Sequence, residues 1–312
     1  MLQCANLFRL PESTSVATVN RQCSSGLQAV AQVAAAIKAG WIDVGIGAGV
    51  ESMSMHYGPG ALAPSVSDDV VNAGQNIADC QMPMGITSEN VAREFNITRL
   101  EQDQLALLSH QKAAKAQKDG LFKDEIVPVG PCLEDDGIRA ETTLAGLSKL
   151  KTAFSDNGFT TAGNSSQVSD GAAAVLLARR SVAEKLGLSI LGKIVGFSVK
   201  GVAPRLMGIG PAVAIPAVLK QAGLKIGDVG IFELNEAFAS QAVYCVKELK
   251  IPLEKLNPKG GAIALGHPLG ATGARQIATL MPEMRRRGAK YGVVSMCIGT
   301  GMGAAAVIES EQ

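Results

Sequence analysis

Three glycine-bordered segments hold the side chains best suited to chemistry: Cys23 in V-N-R-Q-C-S-S-G, His267 in G-G-A-I-A-L-G-H-P-L-G-A-T-G and Cys297 in S-M-C-I-G-T-G-M-G. A thiol, an imidazole and a second thiol are the parts of a thiolate nucleophile, the base that generates it and a further proton carrier. Glycine beside each of them lets backbone N–H groups approach a substrate oxygen closely. The three segments therefore read as distant loops that meet at one buried site, handling acyl groups through a cysteine thioester. Cys4, Cys80, Cys132 and Cys245 lack such surroundings and read as structural, and His56 and His110 read as ordinary hydrogen-bonded histidines. No C-x-x-C pair or short Cys/His spacing occurs, so neither a metal site nor a disulfide framework is expected and a reducing compartment fits best.

Elements must hold these residues in place. Ser15–Asn20 reads as a short buried strand, and the alanine-rich run closed by Gly40 reads as a buried helix with a glycine C-cap, which puts Cys23 on a strand-to-helix turn. Val44–Val50 reads as the next buried strand, so a parallel sheet is expected. A comparable strand, turn, helix and glycine-rich strand recurs from Ile251 to the C-terminus, a weak duplication that would set Cys23 and His267 on opposing turns. His267, between Gly266 and Pro268, belongs to a rigid turn, and Cys297 reads as another turn residue. Between the halves lies an insertion with a helix that Thr98 caps and Glu101 completes as a capping box. Asp170–Arg179 returns as a buried strand, and Asn235 in N-E-A-F reads as the N-cap of the following helix. The organisation expected is residues 1–52 as an N-terminal half, 53–168 as a loop domain, 169–188 as the return to that half and 189–312 as the C-terminal half.

Composition excludes several classes. The chain has 312 residues, 47% hydrophobic and 18% charged, enough for a sizeable core in one large α/β unit or two domains. Its 29 basic and 28 acidic residues leave a net charge of +1, so no nucleic-acid partner is expected. Apolar runs are interrupted before they could span a bilayer, which argues against membrane insertion, and no targeting signal is readable at either end.

V-N-R-Q-C-S-S-G-L-Q-A, T-A-G-N-S-S-Q-V-S-D-G-A-A-A, N-E-A-F-A, G-G-A-I-A-L-G-H-P-L-G and S-M-C-I-G-T-G-M-G-A-A resemble, in order, the motifs of the thiolases, most of all the peroxisomal type, over nearly the whole chain. The resemblance implies an α/β fold of two related halves in five α-β-α-β-α layers, with a loop domain inserted in the first half. It implies Cys23 as the acylated nucleophile, His267 as its base and Cys297 as the acid/base toward carbon. It places Asn235 and His267 at one oxyanion hole, and the N–H groups of Cys23 and Gly299 at another. Met84, Phe154, Ser166, Met207 and Phe238 match positions that contact pantetheine or the acyl part. The implied partners are 3-ketoacyl-CoA, CoA and acetyl-CoA, with coenzyme A a substrate and no cofactor, in a homodimer located in the peroxisome. Two departures stand out: the chain starts shortly before the nucleophile segment, so the opening βαβ portion is expected to be missing, and the loop after Pro128 is short. An inactive thiolase-like chain that binds acyl-CoA or pairs with a full-length subunit is the alternative. A ketoacyl-synthase is disfavoured because synthases replace the second cysteine.

Overall fold

A computed structural model describes residues 10–56 and 66–311. Cys4 lies outside the described residues. The first helix, α1 (Ser25–Ala39), grows out of a 3-10 turn at Gln22–Ser24 and ends on Gly40 at φ +82°, as its sequence dictates. Strand β1 (Val44–Ser52) follows, and the chain then leaves for a long excursion. That excursion carries α2 (Asp68–Val71), α3 (Gln75–Asp79), α4 (Met84–Glu94), α5 (Arg99–Lys118) and α6 (Leu144–Ser148). Helix α5 starts at a complete capping box, with Thr98 Oγ1 accepting from the Glu101 N–H and Glu101 Oε2 accepting from the Thr98 N–H at 2.8 Å. The chain returns through β2 (Asp170–Ala178) and α7 (Arg180–Lys185). The second half comprises β3 (Gly192–Gly201), α8 (Gly210–Ala222), β4 (Ile231–Leu234), α9 (Ala239–Leu249), α10 (Ala262–Leu265), α11 (Thr272–Arg287), β5 (Tyr291–Ile298) and β6 (Met302–Ser310).

The strands of this half form a sheet in the order β3-β6-β5-β4, in which only β4 and β5 run parallel. One face carries Val293, Ala305 and Val307 against α8 and α9 through Ala214, Ile215, Val218 and Ala242. The opposite face carries Val294, Met296, Ala304, Ala306 and Ile308 against Leu27 and Val30 of α1 and Ile277, Leu280 and Met284 of α11. Valine 175 and Leu177 of β2 close that cluster from the far side. Helices α1 and α11 are thus a shared central layer between the two sheets. Their approach depends on small residues: a Cβ on Gly273 would lie 2.4 Å from the Leu27 nitrogen, and one on Gly26 would lie 2.8 Å from the Gly270 oxygen.

Several expectations need correction. β1 and β2 pair antiparallel, with Ser52 opposite Asp170, because the excursion leaves and re-enters at the same end of the ribbon. Both strands are half-buried rather than buried, since only one face packs on the central helices and Ile46 and Leu176 point outward. Residues 15–20 make no ladder: they are largely exposed, and no described strand runs beside them. The opening strand expected at the start of the second copy, from Ile251, is not formed; that start contributes only the single bridge Phe232–Leu256.

Candidate active site

His267 sits in the turn between α10 and α11, buried, with three anchors. Its backbone N–H donates to Ser169 Oγ at 3.3 Å, and its Nδ1 lies 2.6 Å from Thr272 Oγ1. The Thr272 hydroxyl itself donates to the Pro268 carbonyl at 3.1 Å, so its oxygen accepts from Nδ1–H. That assignment leaves Nε2 without a proton, with Asn235 Nδ2 3.2 Å away as a donor to it. Burial, reinforced by Arg275, depresses the imidazole to about 3. It is a neutral base at physiological pH.

Asn235 does not cap a helix. Helix α9 begins four residues later with Phe238 at its N-cap position, and Asn235 instead continues the end of β4, its N–H donating to the Ser295 carbonyl at 2.9 Å. Asn235 Oδ1 has no hydrogen-bond partner among the described residues, although it is buried. Its neighbour Glu236 shapes the loop ahead of His267: the carboxylate accepts from Ser109 Oγ at 2.6 Å, Asn257 Nδ2 at 2.7 Å and the Ile263 N–H at 3.3 Å. Replacing Glu236 by alanine strands these donors in a dry interior and is expected to cost about 4 kcal/mol. A lowered urea midpoint with an unchanged slope is the measurement that checks it.

Cys23 occupies the 3-10 turn leading into α1 and is buried. Desolvation pushes its thiol up to about 11, opposed by the N–H groups of Gly299 and of Cys23 itself, which face the sulfur, while Glu51 pushes it further up. Gly299 belongs to the tight connection between β5 and β6, where Thr300 and Gly301 have φ of +67° and +91°. Cys297 is not a turn residue as its glycine-rich surroundings suggested. It is the penultimate residue of β5, opposite Gly303 of β6, and burial together with Cys23 and Cys245 holds its thiol well above the usual range.

At rest Cys23 is therefore a thiol and His267 a neutral imidazole. Alkylation of Cys23 in the free protein should accelerate about tenfold per pH unit across roughly pH 6–9, since the thiolate fraction keeps rising below its pKa. A plateau within that range, followed by mass spectrometry of the Cys23 peptide, would reveal a preformed ion pair instead.

The remaining nominated residues gather on one side of Cys297. Met207 and Ala237 form a small apolar cluster with it, and Met84 and Phe238 pack against that cluster. The Phe154 ring meets Phe238 edge to face at 6.1 Å, and the Ser166 N–H donates to the Ala237 carbonyl at 3.0 Å. Buried Glu89 on α4 ties down the irregular segment between Phe154 and Ser166 by accepting from the N–H groups of Phe159 and Thr160. Met84 starts α4, so the insertion supplies one wall and the C-terminal half the other. His56 is exposed, and His110 accepts from the Arg139 N–H at 3.2 Å, a structural role. Among the described residues no cluster of His, Cys, Asp and Glu could hold a metal. Thr272, Glu236, Glu51 and Gln241 were not legible from the motifs, because their roles follow from contacts across the sheets; Glu51 Oε2, for example, accepts from the Gly270 N–H at 3.0 Å.

Residues 2–181 match the thiolase N-terminal domain and residues 188–310 the thiolase C-terminal domain. The chain is 59% identical to peroxisomal 3-ketoacyl-CoA thiolase A of Mus musculus over 97% of its own length and 74% of that protein. The dimeric peroxisomal thiolase of Saccharomyces cerevisiae superposes with a TM-score of 0.94 at 51% identity, covering 99% of this chain and 80% of the other. Human mitochondrial 3-ketoacyl-CoA thiolase in complex with CoA superposes with a TM-score of 0.90 at 39% identity, covering 99% and 82%. The motifs, the two-sheet fold around α1 and α11 and these similarities agree, and the chain belongs to the thiolase family.

Proposed function

We propose that this chain cleaves 3-ketoacyl-CoA with CoA to acetyl-CoA and a shortened acyl-CoA, as a peroxisomal homodimer serving fatty acid β-oxidation. The observation that carries the reading is a buried Cys23 thiol beside a second buried thiol, Cys297, in a chain that also buries a neutral His267 against Asn235 and Thr272. High identity to peroxisomal 3-ketoacyl-CoA thiolases supports the substrate class and the compartment. The dimeric yeast relative supports the assembly, and the CoA-bound human relative supports the ligand. Met84, Phe154, Ser166, Met207 and Phe238 would line the path of the pantetheine and acyl parts. No cofactor is called for, since coenzyme A enters as a substrate. No observation favours a non-catalytic role.

The steps follow from the site. His267 Nε2 takes the Cys23 proton, and the sulfur attacks the C3 carbonyl carbon, whose oxygen gathers charge. The C2–C3 bond then breaks, its electron pair passing to an acetyl-CoA enolate while C3 stays on Cys23 as a thioester. Hydrogen-bond donors must face the enolate oxygen, and Asn235 and His267 would supply them. Cys297 S–H protonates C2 and acetyl-CoA leaves, with Cys297 now a thiolate. An incoming CoA thiol gives that thiolate its proton and attacks the Cys23 thioester; the shortened acyl-CoA departs, and His267 returns its proton to the Cys23 sulfur. Covalent transfer through one cysteine gives ping-pong kinetics. A thiolysis assay on acetoacetyl-CoA and on longer 3-ketoacyl-CoA tests the reading. Turnover with parallel initial-rate lines is expected, and no acetyl-CoA from any chain length would overturn it.

A further inference from the structure

Gln241, the third residue of α9, is fully buried and points at Cys297. Its Oε1 accepts from the Ala237 N–H at 3.1 Å, and Cys297 Sγ lies 3.8 Å from the same oxygen, within the range of a long sulfur hydrogen bond. A backbone N–H can only donate, so the Ala237 contact fixes which end of the carboxamide faces the sulfur: it is the oxygen. The other end, Nε2, is buried without a partner among the described residues. An unpaired buried donor is costly in a well-packed interior and is retained where a site needs it. The stem of the side chain is closely packed, with Gly208 directly against its Cβ and Cγ.

We infer that Gln241 is the positioning residue of the carbon-acid step: its carboxamide oxygen accepts the Cys297 S–H, fixing the sulfur at the place from which a proton is exchanged with the α-carbon of acetyl-CoA. This rests on the proposed role of Cys297. The physical argument is direct. A thiol on a strand can swing about χ1, and a misplacement of about 1 Å at a reacting atom costs on the order of 100-fold. An acceptor held against the thiol also favours its protonated form, since a thiolate would face a carbonyl oxygen. Cys23 is not touched by Gln241 in any hydrogen bond, so acyl transfer onto it should be indifferent to the carboxamide.

The test uses Gln241→Met, which keeps the volume and removes the acceptor, and Gln241→Glu, which keeps an oxygen. Two half-reactions are read: exchange of the α-hydrogens of acetyl-CoA with deuterated water, and exchange of the acyl group between CoA and Cys23. The Met variant is expected to lose about 10- to 100-fold in α-hydrogen exchange with acyl exchange within about threefold of the parent, and the Glu variant to recover part of the loss. The pH profile of Cys297 alkylation, read peptide by peptide, should move to lower pH in the Met variant and stay at or above the parent's in the Glu variant. Equal losses in both half-reactions with an unmoved Cys297 profile would reduce Gln241 to a structural role, and parent-rate α-hydrogen exchange in the Met variant would overturn the inference outright. Should the Met variant fail to fold, the Glu variant decides alone: a Cys297 profile below the parent's contradicts the inference. A Cys297→Ala control separates the two readings, because α-hydrogen exchange surviving in it refutes the role of Cys297, whereas exchange lost in it but intact in Gln241→Met refutes only that of Gln241.

Discussion

Cys23→Ser is expected to lower thiolysis by about 1,000-fold or more, with no acyl-enzyme detectable after mixing with a 3-ketoacyl-CoA. A serine hydroxyl at this position meets the same neutral His267 and the same two N–H donors, but an alcohol holds its proton far more tightly than a thiol. A base depressed to about 3 cannot compensate. The substitution is nearly isosteric and leaves the 3-10 turn and α1 intact, so the thermal midpoint should barely change. Mass spectrometry of the parent protein after brief incubation with substrate should place the acyl group on the Cys23 peptide. Acyl found on Cys297 instead would exchange the roles assigned to the two thiols.

The second large effect divides the reaction in two. Cys297→Ala removes the proton carrier while sparing the nucleophile, so overall thiolysis and α-hydrogen exchange of acetyl-CoA are both expected to fall by about 100-fold or more. Exchange of an acyl group between CoA and Cys23 creates no enolate and should persist within about tenfold. The cavity left is small, because the residue is enclosed on the apolar side by Met207 and Ala237, whose packing costs about 1 kcal/mol to disturb. Alpha-hydrogen exchange at the parent rate in this variant would show that another group moves the proton.

What the amino-acid pattern disclosed was what depends on near neighbours. The Thr98–Glu101 box and the Gly40 cap are complete within one turn of chain, so reading them needs no tertiary knowledge. The nucleophile turn, the His267 turn and the N-E-A-F segment carry their chemistry in short motifs. Where partners are remote, reading failed. Ser15–Asn20 has the residues of a strand but no described strand beside it, and Asn235 has the residue type of a cap but is drawn to His267. Cys297 sits in a glycine-rich string that suggested a turn, yet the pairing of β5 with β6 extends past it. Gln241 gave no signal, because a glutamine three residues beyond N-E-A-F is unremarkable until the fold sets Cys297 beside it.

The central layer has a mechanical consequence. With Gly273 backed against the main chain at Leu27, and Gly26 against that at Gly270, the segment bearing Cys23 and the segment bearing His267 are riveted backbone to backbone, with no side chain between them to act as a bearing. Such a joint cannot slide without breaking contact along its length. Met84 and Phe154, by contrast, are carried by the long excursion between β1 and β2, outside this joint. The joint is a fixed anvil, and a single added methyl group at either rivet would spring it while leaving Cys23, His267 and Cys297 in the sequence.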